Sequence, residues 1–174
     1  MATRENLLRA ASALVARSGS RALTLEAVAA STGVSKGGLL YHFPNKKALV
    51  TAMVGQAVDG FEAAVQAVVD RGADWLAAYV EATLADVGSG EALSGVLSAV
   101  AEDPSLLAPF REALDRWYRQ GLAGYGPEVL PLLLALDGLW FHAQIGTLPA
   151  LGWATYADCL RVLARSVPQS KEAS

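Results

Sequence analysis

The segment from residue 24 to residue 43 constrains this chain most, because it reads as two short helices joined by a sharp turn. Thr24 is a good N-cap, and the apolar residues after it recur at three- and four-residue spacing. Gly33 ends this first helix, since glycine adopts a left-handed turn at the lowest cost. Ser35 is the N-cap candidate of the second helix. The pattern predicts a helix-turn-helix with a DNA-reading helix near the start of the chain.

The sizes of the side chains in this segment support the same interpretation. Ala29 is small enough to let the two helices approach, and Val34 and Leu39 supply apolar contacts that hold the crossing angle. A further helix, from about residue 4 to residue 17, braces the motif with one apolar stripe. That stripe consists of Leu7, Leu8, Ala11, Leu14 and Val15.

Residues 23–49 resemble the N-terminal domain of the TetR/AcrR family of bacterial transcriptional regulators, whose pattern is close to LTLEAVAxxxGVSKGxLYxHFxxKxxL. The shared features, in chain order, are Gly33, then Ser35-Lys36-Gly37, then Tyr41-His42-Phe43 followed by Lys46. Beyond Val50 the match is only architectural. The resemblance implies an all-α fold, with a three-helix helix-turn-helix DNA-binding domain in residues 1–47 and a larger helical ligand-binding and dimerisation domain in residues 48–174.

The reading helix departs from the family pattern in one respect. The family usually has a larger residue at the position of Gly38 and a tyrosine at the position of Leu40, whereas the tyrosine of this chain is Tyr41. Moving an aromatic residue by one position turns its side chain about 100° around the helix. The base preference of other members is therefore not transferred to this chain.

The distribution of charge is an independent test of DNA binding. Residues 1–50 contain seven basic and two acidic side chains, a net charge of +5, whereas the remaining residues contain seven basic and fifteen acidic ones, a net charge of −8. Attraction to phosphate is local, so a basic end on an acidic body orients the molecule toward DNA. We expect double-stranded DNA to meet the first fifty residues and not the rest.

The residues expected to contact DNA are Thr24, Ser35, Lys36, Gly37, Gly38, Tyr41, His42 and Lys46. Lys36 would point toward the groove floor or a phosphate, and the alternative is a solvated lysine in the first helical turn. Gly37 and Gly38 cost roughly 1 kcal/mol each inside a helix relative to Ala. They indicate either a close approach to DNA or a loosely wound helix start.

Other residues of the motif have two interpretations each. Tyr41 can offer its hydroxyl to a phosphate and its ring to a thymine methyl, or it can pack against the first helix. His42 can donate to a phosphate or serve as a capping or interfacial group. Phe43, like Leu39, is assigned to the core. Asn45 is the expected N-cap of a long helix, which would let Lys46 meet a phosphate together with free backbone N–H groups.

The rest of the chain shows helical periodicity and no convincing strand. Turn signals delimit predicted helices at residues 45–69, 73–87, 91–101, 105–123, 128–146 and 155–166. With 174 residues, 53% of them hydrophobic, the chain can bury a substantial core. No apolar run is expected to reach the length of a transmembrane helix and the N-terminus lacks a secretory pattern, so we expect a cytoplasmic protein with no membrane partner. The single cysteine, Cys159, excludes an intramolecular disulfide and is expected in the core or an interface.

The segments 130–146 and 156–167 are apolar nearly all round, which is typical of helices buried on more than one side. A small domain has too little interior for both, so we expect a homodimer joined by a four-helix bundle, with a purely intrachain core as the alternative. Two reading helices about 34 Å apart would then reach successive major grooves. The expected interface residues are Leu133, Leu136, Trp140, Leu160 and Leu163.

The middle helices mix aromatic and acidic side chains in an otherwise Ala/Leu/Val-rich region, and such a mixture suits a flat organic cation. The family resemblance implies a small inducer in this domain, and repressors of multidrug exporters are among the members that use such pockets. The alternative is that the aromatic residues fill the core and the acids are solvated. The candidate ligand-binding residues are Tyr79, Glu81, Glu102, Trp117, Tyr118, Asp137 and His142.

These features favour a ligand-responsive transcriptional regulator, in the first place a repressor that binds a palindromic operator as a homodimer and is released by a small cationic or aromatic molecule. In the mechanism that the resemblance implies, ligand shifts the helix beginning at Asn45, and a full switch needs a differential affinity of about 5.5 kcal/mol. Gly55 and Gly60 in that helix are flex points or close-packing sites. The alternatives are an activator, or a helical ligand-binding or scaffold protein with weak or lost DNA affinity.

Enzymatic activity is not expected. The only histidines are His42 and His142, and the sequence has no metal-spaced cluster and no phosphate-loop pattern. We therefore expect neither a catalytic site, nor a cofactor, nor a bound metal.

Overall fold

The computed structural model describes residues 3–89 and 103–170, and within these residues every regular element is helical, as predicted. The α-helices are α1 (Arg4–Ser18), α2 (Leu25–Thr32), α3 (Lys36–His42), α4 (Lys46–Val69), α5 (Trp75–Ser89), α6 (Ala108–Tyr125), α7 (Leu130–Gln144) and α8 (Trp153–Ser166). Short 3₁₀ turns occur at Ser20–Ala22, Pro104–Leu107 and Pro127–Val129.

Local capping explains why the first helices begin and end where they do. The Thr24 hydroxyl accepts from the Ala27 N–H at 3.1 Å and the Ser35 hydroxyl accepts from the Gly38 N–H at 3.1 Å, which satisfies backbone donors that each helix start leaves free. Gly33 ends α2 in the left-handed conformation, with φ of 68°. These predicted caps and the predicted turn are confirmed.

Several helix starts differ from the predicted ones by a few residues. Asp74 caps α5 by accepting from the Ala77 N–H at 2.9 Å, so α5 begins at Trp75. Two of the 3₁₀ turns contain proline and precede α6 and α7, which therefore begin three and two residues later than predicted, at Ala108 and Leu130. The predicted helix at residues 91–101 lies outside the described residues.

The chain divides into two compact units, Met1–Val58 with Leu93–Arg111, and Asp59–Ala92 with Glu112–Ser174. In the first unit, α1 to α3 and the start of α4 enclose a continuous apolar core. Its fully buried side chains include Leu7, Val28, Leu39, Phe43, Leu49 and Val54. This core holds the turn between α2 and α3 in place.

In the second unit α5 is the central helix, and it packs against both α7 and α8. Its side chains are buried on all sides, at Leu76, Ala78, Tyr79, Val80, Ala82, Thr83 and Leu84. Leu132, Leu133, Leu136 and Leu139 of α7 are buried as well. The apolar composition of these helices is thus explained partly by contacts inside the unit.

Helix α4 is long and apolar enough, by length and composition only, to cross a membrane, so the expectation that no such stretch exists is wrong. This is weak evidence for a membrane span, because a core helix of a soluble protein passes the same test. Leu49, Val50 and Val54 of α4 are at most 1% exposed in the core of the first unit. Its apolar character therefore has a structural explanation.

Candidate functional site

The reading helix α3 separates buried from exposed side chains along a very short length. Leu39 and Phe43 are 0% and 1% exposed and anchor α3 to the core, as expected for both. Tyr41 is 86% exposed, so it does not pack against α1. A large aromatic side chain in this position is available to a partner such as DNA.

The adjacent glycines of α3 face different surroundings. A Cβ atom added to Gly38 would lie 2.9 Å from Val34 Cγ1, so a side chain there would force Val34 to shift. A Cβ atom added to Gly37 would meet nothing within 4 Å. Of the two glycines expected at the DNA, only Gly37 has no structural reason of its own within the described residues.

Lys36, at the first position of α3, forms an ion pair with Glu26 of α2 at 2.7 Å, and both side chains are 63% exposed. The Lys36 ammonium holds the pKa of the Glu26 carboxyl below its usual range, mainly through their hydrogen bond. Such an exposed pair contributes little to stability. It does place Lys36 between the two helices rather than freely in solvent.

The remaining candidates on the motif are placed as follows. Thr24 and Ser35 act through their hydroxyls as helix caps. His42 is half-buried, with its ring centroid 5.3 Å from that of Tyr41 and 6.4 Å from that of Phe43. This interfacial position is one of the two expected for His42.

The start of α4 presents two adjacent lysines that differ in their contacts. The Asn45 side chain accepts from the Ala48 N–H at 2.8 Å, as predicted for an N-cap. Lys46 is exposed and forms no ion pair within the part of the chain that the structure describes. Lys47 forms an ion pair with Asp103 at 2.6 Å. A free lysine beside unsatisfied N–H groups is suited to binding a phosphate.

In the second unit, four aromatic rings form one cluster, which we call the aromatic cluster: Phe61, Trp75, Tyr79 and Trp117. The ring centroids of contacting pairs are 4.9 to 5.8 Å apart. The Trp117 indole donates to Glu62 at 3.1 Å, and Arg116 also binds Glu62, at 2.7 Å. Phe61 and Trp75 were not among the sequence candidates. Phe61 is next to Glu62, and Trp75 lies four residues before Tyr79, on the same side of the helix. These spacings could have identified both residues.

Asp137 is close to this cluster and joins α7 to α6. The Tyr118 hydroxyl donates to Asp137 Oδ2 at 2.5 Å. Burial raises the pKa of Asp137 above its usual range, and it also raises the pKa of Tyr79, with a smaller contribution from the charge of Asp137. A half-buried carboxylate beside aromatic rings is a favourable place for an organic cation.

A second carboxylate of this kind, Asp86 on α5, was missed in the sequence. The Trp140 indole donates to Asp86 Oδ2 at 2.8 Å, and burial raises the pKa of Asp86. An acid inside the apolar run of α5 was the signal that could have identified it. Trp140, expected at the dimer interface, is half-buried and is engaged in this bond inside the unit.

The other ligand candidates lie elsewhere. Glu81 is two positions from Tyr79 and therefore on the other side of α5. It binds Arg161 of α8 at 2.6 and 2.8 Å and lines a cavity of about 290 Å³ that also includes Asp74, Tyr125 and Arg165. His142 is exposed at the end of α7, where Nδ1 lies 2.8 Å from Thr147 Oγ1. Glu102 is outside the described residues.

Of the expected interface residues, three are at most 6% exposed within the second unit and offer little surface to a partner: Leu133, Leu136 and Leu160. Leu163 is 42% exposed. The exposed stripe of α7 is the opposite one, formed by Leu134, Phe141 and Ile145, with the half-buried Gly138 between them at helical spacing. Cys159 is also exposed on α8, so of its two expected places the core is wrong, and an interface stays a prediction.

No group of three or more potential metal-ligating side chains comes together among the described residues. Two candidate sites remain. One is the basic surface of the first unit with the exposed Tyr41, and the other is the aromatic cluster of the second unit with the half-buried Asp137.

Comparisons with known proteins cover both units. A family model described as bacterial regulatory proteins of the tetR family matches residues 7–53, and one described as a tetracyclin repressor-like C-terminal domain matches residues 73–164. Neither description is that of an enzyme. None of the curated proteins compared with the chain matches it.

Solved structures share the fold over nearly the whole chain. A transcriptional regulator from Rhodococcus sp. Rha1 is 26% identical with a TM-score of 0.74, over 95% of this chain and 96% of that chain. A TetR-family member from Streptomyces coelicolor A3 is 23% identical with a TM-score of 0.70, over 95% and 98%. The multidrug binding protein EbrR in complex with malachite green is 23% identical with a TM-score of 0.68, over 97% and 99%.

Proposed function

Because the chain belongs to the TetR family of transcriptional regulators, we propose that it is a cytoplasmic, non-enzymatic repressor that binds a palindromic operator as a homodimer and is released by a small organic cation. Residues 1–47 carry DNA binding in this proposal, and residues 48–174 carry ligand binding and dimerisation. The observation on which it mainly rests is the anchored reading helix, which exposes 86% of Tyr41 and is followed by an exposed Lys46 at the start of α4.

Selection of bound sequences from random duplex DNA by the purified protein tests DNA reading. We expect recovery of an inverted repeat, with affinity that falls steeply as salt is raised. Weak binding with no enriched sequence would contradict the proposal and favour a helical ligand-binding or scaffold protein. The position of the recovered operator relative to a promoter then separates repression from activation.

Two substitutions separate the expected roles on the DNA surface. Lys46→Ala should weaken binding similarly for all sequences, because a phosphate contact carries no base information. Tyr41→Ala should also change the enriched sequence. Equal binding by both variants and the wild type would contradict the proposed docking.

The half-buried carboxyl of Asp137, which acts on Tyr79 of the aromatic cluster, supports a cationic effector. EbrR, which shares the fold, is a multidrug binding protein seen with malachite green, a flat aromatic cation. We therefore use malachite green as the probe and expect saturable binding that Asp137→Asn weakens about tenfold, or roughly 1.4 kcal/mol. Asp115→Asn, a neutralised acid in the exposed pair with Arg119, is the matched control. Equal affinity of Asp137→Asn and wild type would remove Asp137 from the site.

The homodimer is proposed to form through the exposed stripes of α7 and α8. Leu134, Phe141 and Ile145 are 49% to 62% exposed, and Val162 and Leu163 of α8 are 62% and 42% exposed. Apolar side chains grouped in this way indicate an interaction surface, and a two-fold pair of such helices forms a four-helix bundle. The interface proposed here keeps Leu163 and replaces the buried leucines by their exposed neighbours.

A further inference from the structure

The first unit includes a short segment, residues 103–111, that comes after α5 in the chain. Leu106 is 6% exposed in the apolar core of this unit, and Leu107 and Phe110 pack against the same core. The matched N-terminal family model ends at residue 53, and residues 103–111 fall within the match of the C-terminal model. A part of the DNA-binding unit is therefore supplied from outside the helix-turn-helix.

Asp103 is held firmly at the start of this segment. Its Oδ1 accepts from the Ser105 N–H at 3.1 Å and from the Ser105 hydroxyl at 2.6 Å. Arg111 donates to the Pro104 carbonyl at 3.2 Å and closes the turn. Leu106, which is buried just beyond, anchors the start of this segment in the core of the first unit.

The other carboxylate oxygen of Asp103, Oδ2, binds Lys47 Nζ at 2.6 Å. An ammonium this close to a carboxylate has its charge largely balanced, which weakens its attraction to a phosphate and brings a carboxylate that repels the phosphate. The neighbouring Lys46 has no such restraint within the described parts of the first unit. One helix start thus carries one available lysine and one engaged lysine.

We infer that Asp103 withholds Lys47 from DNA and thereby limits DNA affinity, which makes it a positioning residue that acts through Lys47. The inference rests on the proposed function, since it concerns DNA binding at the start of α4. Asp103 lowers affinity by removing one phosphate contact per protomer. No contact in the helix-turn-helix itself supplies this restraint on Lys47 in the described residues.

The test measures binding to a duplex of about 30 base pairs, long enough for two half-sites, across a range of salt concentrations. In Asp103→Asn we expect affinity to rise several-fold and the slope of log K against log salt to steepen by about 0.9 per protomer, because Lys47 gains a phosphate contact. Asn is an equally good N-cap, so the 3₁₀ turn is retained. Lys46→Gln, the matched control, should make the slope shallower by the same amount, because it removes a phosphate contact.

The variant Lys47→Gln and the double variant Lys47→Gln/Asp103→Asn identify the lysine responsible. Both should keep the wild-type slope, because Lys47 makes no DNA contact in the wild type and cannot gain one in the double variant. If Asp103→Asn and the double variant show the same gain, the gain comes from removal of an acid alone, and the inference is overturned. A shallower slope in Lys47→Gln overturns it as well.

A measurement without DNA separates this inference from the proposed function. Lys47 holds the pKa of Asp103 at about 2, with Ser105 contributing. Carbon NMR of the Asp103 carboxyl should show this low pKa in the wild type and a rise toward the usual range in Lys47→Gln. A usual pKa that does not respond to Lys47→Gln would overturn the inference. Absence of salt-dependent DNA binding in the wild type would instead count against the proposed function and against the restraint on DNA that depends on it.

Discussion

Gly37 and Gly38 show how two identical neighbours on the reading helix can have different reasons to be there. An added Cβ at Gly38 would lie 2.9 Å from Val34, a β-branched side chain with few alternative rotamers. Gly37 faces open space. At Gly37 no contact among the described residues explains the lack of a side chain, so a close approach to DNA and a loosely wound helix start both remain predictions.

Alanine substitutions distinguish the two glycines. Gly38→Ala should destabilise the protein by about 1 to 3 kcal/mol through overpacking. Gly37→Ala should stabilise the helix by up to about 1 kcal/mol while lowering DNA affinity. Thermal unfolding and DNA titration of both variants check this. Wild-type DNA affinity in Gly37→Ala would contradict a close approach there.

Asp137 offers a prediction about pH. A carboxyl whose pKa is raised on folding favours its protonated form, so its contribution to stability is best at low pH and is lost as the pH rises through the folded pKa. Burial raises the pKa of Asp137, so the ionised group carries a cost at neutral pH. Asp137→Asn should raise stability at pH 7 by up to about 1 kcal/mol. This gain should disappear below the usual pKa of Asp; a gain independent of pH would assign it to another cause.

At the scale of elements, α4 contains two glycines whose absence of a side chain is not required by packing. Added Cβ atoms at Gly55 and Gly60 meet nothing within 4 Å among the described residues. Of the two roles expected for them, close packing is therefore not supported. Gly60 also lies two positions beyond Val58, where the chain passes from the first unit to the second.

Substitution of both glycines by alanine should stiffen α4. Each change favours the helix by roughly 0.5 to 1 kcal/mol, because glycine loses more backbone freedom on folding. If α4 bends when ligand binds, Gly55→Ala/Gly60→Ala should bind the operator normally but be released less well by effector. Ala52→Gly, in the same helix, should make α4 more flexible and is expected to be released by effector at least as well as the wild type. Unchanged release in the alanine variant would argue against bending at these sites.

The elements show which features a single sequence can predict. Caps such as Thr24, Ser35 and Asn45 depend on residues three positions away, so local patterns identified them. The buried face of α7 could not be found in the same way, because apolar residues surround that helix and periodicity does not distinguish Leu133 from Leu134. Ion pairs such as Lys47 with Asp103 depend on how distant segments fold together, which periodicity does not report.

At the scale of the whole molecule, the apolar stripes on α7 and α8 predict a dimer that a single charge disrupts. Leu134→Glu should leave the protomer folded, since Leu134 is 62% exposed. In the dimer it would bury an unpaired charge, at a cost of at least about 3 kcal/mol. Sedimentation at micromolar concentration should show monomers. Leu122→Glu on α6, also at an exposed leucine, is the control and should remain dimeric.

The place of Leu106, Leu107 and Phe110 in the core of the first unit has a consequence for protein engineering. The unit that contains the helix-turn-helix is discontinuous in the chain, so a graft of residues 1–53 onto another sensor would leave behind part of its hydrophobic interior. Hybrid regulators made from this chain should carry residues 103–111 together with the N-terminal helices. A hybrid with another ligand-binding domain therefore needs more than one junction in the chain.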